Sequence, residues 1–323
     1  MTCEVKIASL QDRSLWDSIH SLSSIPSHGW PFASALSLSG IVPRIALVRD
    51  GSSVLVIPFH EREWRGRLDI STFLSVSGAW MNRPSQKLVA AWRGYAESRQ
   101  WVAGFLQFEP ETDVTGIAGA EDGNVVMLLD IGCPDPWVGI AAKSRYKIRR
   151  MDAMGVRLVE DREKLVGLIS LLYGATMKRT GAASAYRLAD ATLRAMAGSR
   201  EHLVLGAECG GEVIAIMVFP VSGERAEYHI CASTVQGRDA TAWLMWQAIV
   251  RLKAMGVRQL NLGGGVRPGD GLYDFKLKFG AVPKLLHQVK QIYDAVAYEN
   301  FCRAERTSAD ERWFPAYRAR AAR

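Results

Sequence analysis

Three apolar runs set the tightest constraint on how this chain can fold. Leu203–Glu208, Glu212–Pro220 and Ala226–Ser233 follow one another with only turn residues between them. Gly210-Gly211 separates the first two runs and Ser222-Gly223-Glu224 the second two. Connections this short join antiparallel neighbours, because a parallel crossover needs a dozen residues or more. The spacing predicts a three-stranded meander.

The segments around the meander extend the pattern. Trp137–Met154 reads as a helix closed by Gly155, Val156–Val159 as a strand, Glu163–Arg179 as a long helix and Tyr186–Met196 as another. After the meander come a polar loop, Thr234–Thr241, and a helix, Ala242–Met255, with Met245, Ile249 and Leu252 as its apolar stripe. Arg258–Leu262 is the strand that follows. In the first half, Arg44–Arg49 and Ser53–Pro58 form a hairpin through Asp50-Gly51. Gln86–Arg99 is a helix with Leu88, Trp92 and Tyr95 on one stripe, and Val102–Phe108 is a strand. The Gly- and acid-rich stretch Thr115–Gly123 reads either as a domain boundary or as a long hairpin loop, with a strand, Val125–Ile131, behind it.

A length of 323 residues suggests two domains, placed at 1–122 and 123–323. With 48% hydrophobic and 23% charged residues the chain can bury a sizeable core. No apolar run approaches the ~18 to 20 residues that span a bilayer, and the N-terminus lacks a secretory pattern, so the expected location is the cytoplasm. Cys3, Cys133, Cys209, Cys231 and Cys302 are scattered without a CxxC pair, which argues against a disulfide framework or a metal site. Cys209 and Cys231 are expected to be small buried residues, and Phe301–Arg323 a surface helix or a frayed end. The net charge of +7 suits a polyanionic partner as well as it suits a merely soluble surface. GxSxG, P-loop, HExxH and strand-following GxGxxG motifs do not occur.

The element order resembles that of the acetyltransferase (GNAT) fold, and two motifs sharpen the likeness. Lys143-Ser-Arg-Tyr-Lys-Ile-Arg-Arg-Met-Asp-Ala-Met-Gly-Val156 resembles the start of the C-terminal domain of Fem family peptidoglycan aminoacyltransferases and of Fem-like acetyltransferases of envelope and polysaccharide loci. Asn261-Leu-Gly-Gly-Gly-Val266, continuing to Gly271-Leu-Tyr-Asp-Phe-Lys-Leu-Lys-Phe-Gly280, is similar to the family's glycine-rich strand end followed by GLYxFKxxFG. The likeness runs from about Lys143 to Asp294, with a weaker one from Trp30 to Pro110. It implies an α/β (α+β) fold of two GNAT-like domains, each a mixed, mostly antiparallel sheet flanked by helices. The N-terminal domain would be degenerate and the C-terminal one catalytic.

The resemblance implies acyl transfer with no tightly bound cofactor and no metal. Aminoacyl-tRNA would be the donor, and an amine of a small peptide or an envelope precursor the acceptor. An acyl-CoA-dependent N- or O-acetyltransferase of polysaccharide, envelope or metabolite biosynthesis is the close rival, and a non-catalytic RNA-binding adaptor a third reading. Lys276 would stabilise the tetrahedral oxyanion beside Phe275, with Asp274 as a possible proton acceptor. Tyr186 and Tyr228 match positions where the family binds its acceptor. Arg179 could hold a phosphate or carboxylate, and Gly264 and Gly265 would let a substrate approach the backbone. His229, next to Tyr228, is read as structural.

Lys143, Lys147 and Arg150 share one face of their helix, and Arg145 and Arg149 another, a density suited to phosphates of the donor or of RNA. Arg238 joins them from the loop where a CoA-dependent enzyme cradles pyrophosphate. Val235-Gln-Gly-Arg-Asp-Ala-Thr-Ala242 departs from that cradle's Q/R-x-x-G-x-G/A spacing, and Asp239 would oppose a pyrophosphate. The family's helical arm is absent, and its acceptor-binding lysine has no counterpart around Trp30–Gly40, which counts against a nucleotide-linked acceptor.

Overall fold

A computed structural model describes residues 3–73, 76–181, 187–264, 270–308 and 313–319. The chain divides into two compact units that alternate along the sequence. The first comprises Met1–Ser23, Gly40–Asn124 and Leu285–Arg323, and the second Ser24–Ser39 and Val125–Lys284. One crossing, at 124/125, lies two residues from the boundary read from sequence. The exchange of 24–39 and the return after 284 carry no compositional mark.

In the first unit the strands are β1 (Glu4–Ala8), β2 (Val42–Asp50), β3 (Ser53–Trp64), β4 (Arg67–Thr72), β5 (Trp80–Met81) and β6 (Ala103–Gln107). The sheet order is β1-β2-β3-β4-β6, with β5 on β3, and only β4 and β6 run parallel. The Asp50-Gly51 hairpin forms with Asp50 opposite Ser53, and its pairing extends to Val42 opposite Glu61. The helix α1 is Arg13–Ser23 and α3 is Gln86–Ser98, the latter capped by Ser85, whose side chain accepts from the Leu88 amide. The buried stripe of α3 is Leu88, Val89, Trp92 and Ala96, packed with Phe59, Trp101 and Phe108. Tyr95 is half-buried at its margin, its ring stacked 6.0 Å from Trp92.

The described residues of the C-terminal segment are packed rather than frayed. α9 (Ala295–Glu305) buries Tyr298 and Cys302, and the 3-10 turn Ala316–Arg318 buries Tyr317. Asp69 of β4, fully buried, accepts hydrogen bonds from Arg62 Nε (2.7 Å), Arg318 Nε (2.6 Å) and the Tyr317 hydroxyl (2.9 Å). Arg318 also donates to the Glu63 carbonyl and lies 4.9 Å from the Trp64 ring centre. Two guanidiniums around one buried carboxylate hold the segment against β3 and β4.

In the second unit β7 (Ala120–Asp130) starts earlier than expected, so Ala120–Gly123 is strand rather than loop. α4 (Ala142–Ala153) starts later than the expected Trp137, because Asp135 accepts from the Trp137 amide and Ile140 donates to Trp137, which closes the approach as turns. Then come β8 (Arg157–Val159), α5 (Arg162–Thr180), α6 (Asp190–Gly198), β9 (His202–Cys209) and β10 (Glu212–Ser222). Asp161 caps the start of α5 and Gly181, at φ +60°, its end. α6 begins at Asp190 rather than Tyr186, which lies outside the described residues.

The third strand of the meander is broken into β11 (Arg225–Glu227) and β12 (Ile230–Ser233). α7 (Ala240–Ala254), β13 (Gln259–Asn261) and α8 (Gly271–Leu277) complete the order, and α2 (Trp30–Ser37) belongs to this unit as well. β14 (Val282–Ile292) belongs from Leu285 onward to the first unit and pairs with β6 there. The sheet runs β7-β13-β11-β10-β9-β8, antiparallel except between β11 and β13, with β12 on β10. Ile148 and Met151 of α4 join Trp243, Met245, Ile249 and Leu252 of α7 in its core. Trp243 Nε1 donates to Asp152 at 2.6 Å and ties the two helices. Both units are thus mixed α/β with mostly antiparallel sheets, the class read from sequence. Among the described residues no helix is long and apolar enough to cross a membrane, and no cluster of potential ligands could hold a metal.

Candidate active site

The break in the third meander strand creates the site. Glu227 lies opposite Asn261 and the Tyr228 amide donates to the Asn261 carbonyl at 2.8 Å. Beyond that point β12 pairs with β10, whereas Leu262 and Gly263 pair with Met127 of β7. The two strand ends part at this point.

Lys276 of α8 reaches this strand end. Only 2% of it is exposed, and its ammonium donates to the Gly263 carbonyl at 2.9 Å and to the Gly264 carbonyl. Asn261 shapes the turn, since its side chain accepts from the Gly263 amide at 2.9 Å. Gly264 must be glycine, because a Cβ there would lie 2.7 Å from the Val125 carbonyl oxygen. Asp270 caps α8 by accepting from the Leu272 and Tyr273 amides, which fixes the turn that presents Lys276.

Burial pushes the Lys276 ammonium down to about 8, and the nearby charge of Asp270 acts against the shift. The folded protein therefore bears the cost of a desolvated cation at neutral pH. That cost is relieved as pH rises from about 8, where the folded state gives up its proton, to the ordinary lysine range of about 10.5. An ammonium has three N–H donors. Among the described residues, the Gly263 and Gly264 carbonyls take two of them.

Phe275 is half-buried and its ring lies 5.1 Å from Phe279 in the core below, so it builds the floor beside Lys276. Asp274 is exposed on α8. Gly265 lies outside the described residues, as does Tyr186.

Tyr228 packs 5.5 Å from Phe219 and shares a hydrogen bond with Cys231. Burial, then the neighbouring Cys231, raises its phenol well above the ordinary value, so it acts as a hydrogen-bonding group rather than a base. Burial also pushes the Cys231 thiol up, against the pull of Tyr228 and of Arg179's charge. Cys209 and Cys231 are half-buried rather than fully enclosed.

Arg179 anchors the end of β12: it donates to the Ser233 carbonyl at 2.8 Å and to its hydroxyl at 3.0 Å. His229 has the structural role expected of it. Its Nε2 lies 2.9 Å from Glu227, which also accepts from the Ser27 hydroxyl at 3.1 Å, and its ring lies 4.6 Å from that of Phe32. Asn261, Asp270 and Cys231 are site residues that the motif reading missed. The Asn-x-Gly spacing before the glycine run was the available signal for the first.

The basic residues gather on and beside α4. Lys147 pairs with Asp239 at 2.9 Å, and that hydrogen bond, with the charges of Arg150 and Arg238, holds the Asp239 carboxyl below its usual range. Lys143, Arg149 and Arg150 are exposed, and Arg149 lies 5.7 Å from the centre of Trp137. The turn before α7 is closed on itself: the Gly237 amide donates to Thr234 Oγ1 at 2.9 Å and the Arg238 amide to the Val235 carbonyl. A Cβ on Gly237 would fall 1.9 Å from the Ile214 carbonyl oxygen, so this turn is pressed against β10.

Sequence comparison bears on this stretch of the chain. Residues 141–277 match the acetyltransferase (GNAT) domain family. The chain carries a GNAT domain. By that domain the protein is an acyltransferase, and Lys276, Phe275, Asp274, Tyr228 and the basic helix all fall inside the matched stretch.

No curated protein sequence matches the chain. Among solved structures, FemX is similar at a TM-score of 0.68 and 13% identity, over 92% of this chain and 99% of that one. The C-terminal domain of a protein described as a lysylphosphatidylglycerol synthetase, from Agrobacterium fabrum, is similar at 0.59 and 14%, over 94% and 99%. L-PGS from Bacillus licheniformis follows at 0.56 and 12%, over 86% and 91%. Identities this low speak of the fold, and the likeness extends well beyond the GNAT domain to nearly the whole chain.

Proposed function

We propose that this protein is a Fem-like aminoacyltransferase, which moves an aminoacyl group from aminoacyl-tRNA to an amine of a small peptide or an envelope-related acceptor in the cytoplasm. The observation that carries the reading is the Lys276 ammonium, buried at the parted strand end and held there by two glycine carbonyls. The acceptor amine attacks the carbonyl carbon of the aminoacyl ester, and a C–N bond forms. The ester C–O bond then breaks, the amine loses a proton and the departing ribose oxygen gains one. Between the two steps the former carbonyl oxygen is an oxyanion, and a fixed cation in a water-poor setting stabilises it. Phe275 packs beside that carbonyl, Tyr228, Tyr186 and Arg179 orient the acceptor, and Gly264 and Gly265 let the substrate lie against the backbone. Asp274, exposed, takes the proton directly or through water. The catalytic residues belong to the C-terminal domain, and the N-terminal one is its degenerate counterpart.

RNA is favoured over acyl-CoA as donor by the turn before α7. Its first amides are already bonded within the turn, and the carboxylate of Asp239 stands where a pyrophosphate would need positive surroundings. Lys143, Lys147, Arg149, Arg150 and Arg238 supply a basic face for tRNA phosphates. The names of two similar structures, FemX and a lysylphosphatidylglycerol synthetase, fit an aminoacyl group as cargo. The acyl-CoA reading draws on the family match itself, whose description is an acetyltransferase.

Purified protein incubated with charged tRNA and a mixed amine acceptor is expected to discharge the tRNA into an amide product, and RNase treatment is expected to stop the reaction. Consumption of acetyl-CoA that RNase leaves untouched, with charged tRNA stable, would overturn the donor assignment. Binding of RNA with neither donor consumed would favour an RNA-binding adaptor instead.

A further inference from the structure

The reading above gives the cations of α4 a role but none to the aromatic ring among them. The buried residues of this helix are Ser144, Ile148 and Met151, which at 100° per residue share one side. Tyr146 stands on the opposite side and is 66% exposed. Lys143, Arg149 and Arg150, also exposed, sit three before, three after and four after it. Those offsets are the nearest neighbours on a helix surface.

Other groups nearby have partners of their own, and Arg149 itself lies 5.7 Å from the centre of the Trp137 ring. Lys147 is held by Asp239, and Trp137 packs edge-on against Trp246 at 4.8 Å. A large ring held out in water among three cations is the surface chemistry of single-stranded nucleic-acid binding, in which cations follow the phosphates and an aromatic face receives a base. A duplex offers phosphates but no unstacked base. An anionic membrane would also attract the cations, but a helix lying in a bilayer surface needs an apolar face turned outward. The apolar face of α4 is buried in the core.

We infer that Tyr146 is a stacking platform for an unpaired base, so that α4 binds a single-stranded stretch of RNA rather than a duplex. This rests on the RNA-donor reading above and narrows it to the unpaired part of that donor.

The test uses the full chain and fluorescence anisotropy. The probes are a labelled single-stranded RNA of about 12 nucleotides, a size typical of such sites, and the same sequence as a duplex. Tyr146→Ala is expected to weaken single-strand binding about 10-fold, the effect of losing one stacked base, and to leave duplex binding and the salt slope unchanged. Tyr146→Phe keeps the ring and is expected to bind as the parent does. Arg150→Gln is expected to weaken both probes and to reduce the salt slope by about 1.

If Tyr146→Ala binds the single strand as tightly as the parent while Arg150→Gln does not, the stacking role is overturned and the RNA-donor reading stands. If the parent binds neither RNA, both fall. Tyr146-dependent binding to phosphatidylglycerol vesicles, with RNA affinity unaffected by Tyr146→Ala, would overturn the inference in favour of a membrane surface.

Discussion

Lys276→Met is expected to lower the rate of amide formation by about 10² to 10³, the loss found when a single oxyanion donor is removed from an acyl-transfer site. Methionine keeps most of the side-chain volume and reach but carries neither charge nor donor. The substitution takes a hydrogen bond from each of the Gly263 and Gly264 carbonyls. It also removes a cation whose burial opposes its charged form. These effects act in opposite directions on stability, so the melting temperature is expected to shift by only a few degrees while turnover collapses. Single-turnover rates with charged tRNA, alongside thermal melts of both proteins, separate the chemical role from a structural one. A variant that melts like the parent and keeps its rate would remove Lys276 from the chemistry.

The second large effect concerns stability. Asp69→Ala is expected to destabilise the first unit by about 3 to 5 kcal/mol, because Arg62 and Arg318 would be left around a buried site without their carboxylate. The Tyr317 hydroxyl would lose its acceptor in the same step. At about 2 to 4 °C per kcal/mol for a domain of this size, the melting temperature should fall by roughly 10 °C. Limited proteolysis should then cut the segment around 313–319 early. Tyr317→Phe removes one hydrogen bond and leaves both ion pairs, so its expected cost is about 1 kcal/mol. If Asp69→Ala melts within about 2 °C of the parent, the network does not hold the C-terminal segment as described.

Much of the second unit was legible in the sequence because its turns are chemically explicit. Gly210-Gly211 and Ser222-Gly223-Glu224 end strands where the structure ends them, and Gly181 takes the left-handed conformation that closes α5. The GLYDFK segment pointed to Lys276 through its resemblance to the Fem family motif, and the glycine run was read separately as a place where a substrate could approach the backbone.

The break between β11 and β12 was not legible. Ala226–Ser233 reads as one continuous run, and the parting at Tyr228 depends on β13 lying alongside, a long-range pairing that no local signal records. The anchoring of Arg179 was hidden for a similar reason, since its partner Ser233 lies 54 residues away. The C-terminal segment looked like a surface tail because its charges dominate its composition. One of those charges, Arg318, binds Asp69.

Burial brings the Lys276 ammonium down to about 8. The direct test is the pH dependence of single-turnover transfer from charged tRNA, corrected for spontaneous ester hydrolysis. The rate should first rise as the acceptor amine deprotonates, then fall above about pH 8 as Lys276 gives up its proton. A rate that keeps climbing past about pH 9.5, well above the value assigned to this ammonium, would contradict a catalytic role for its charge.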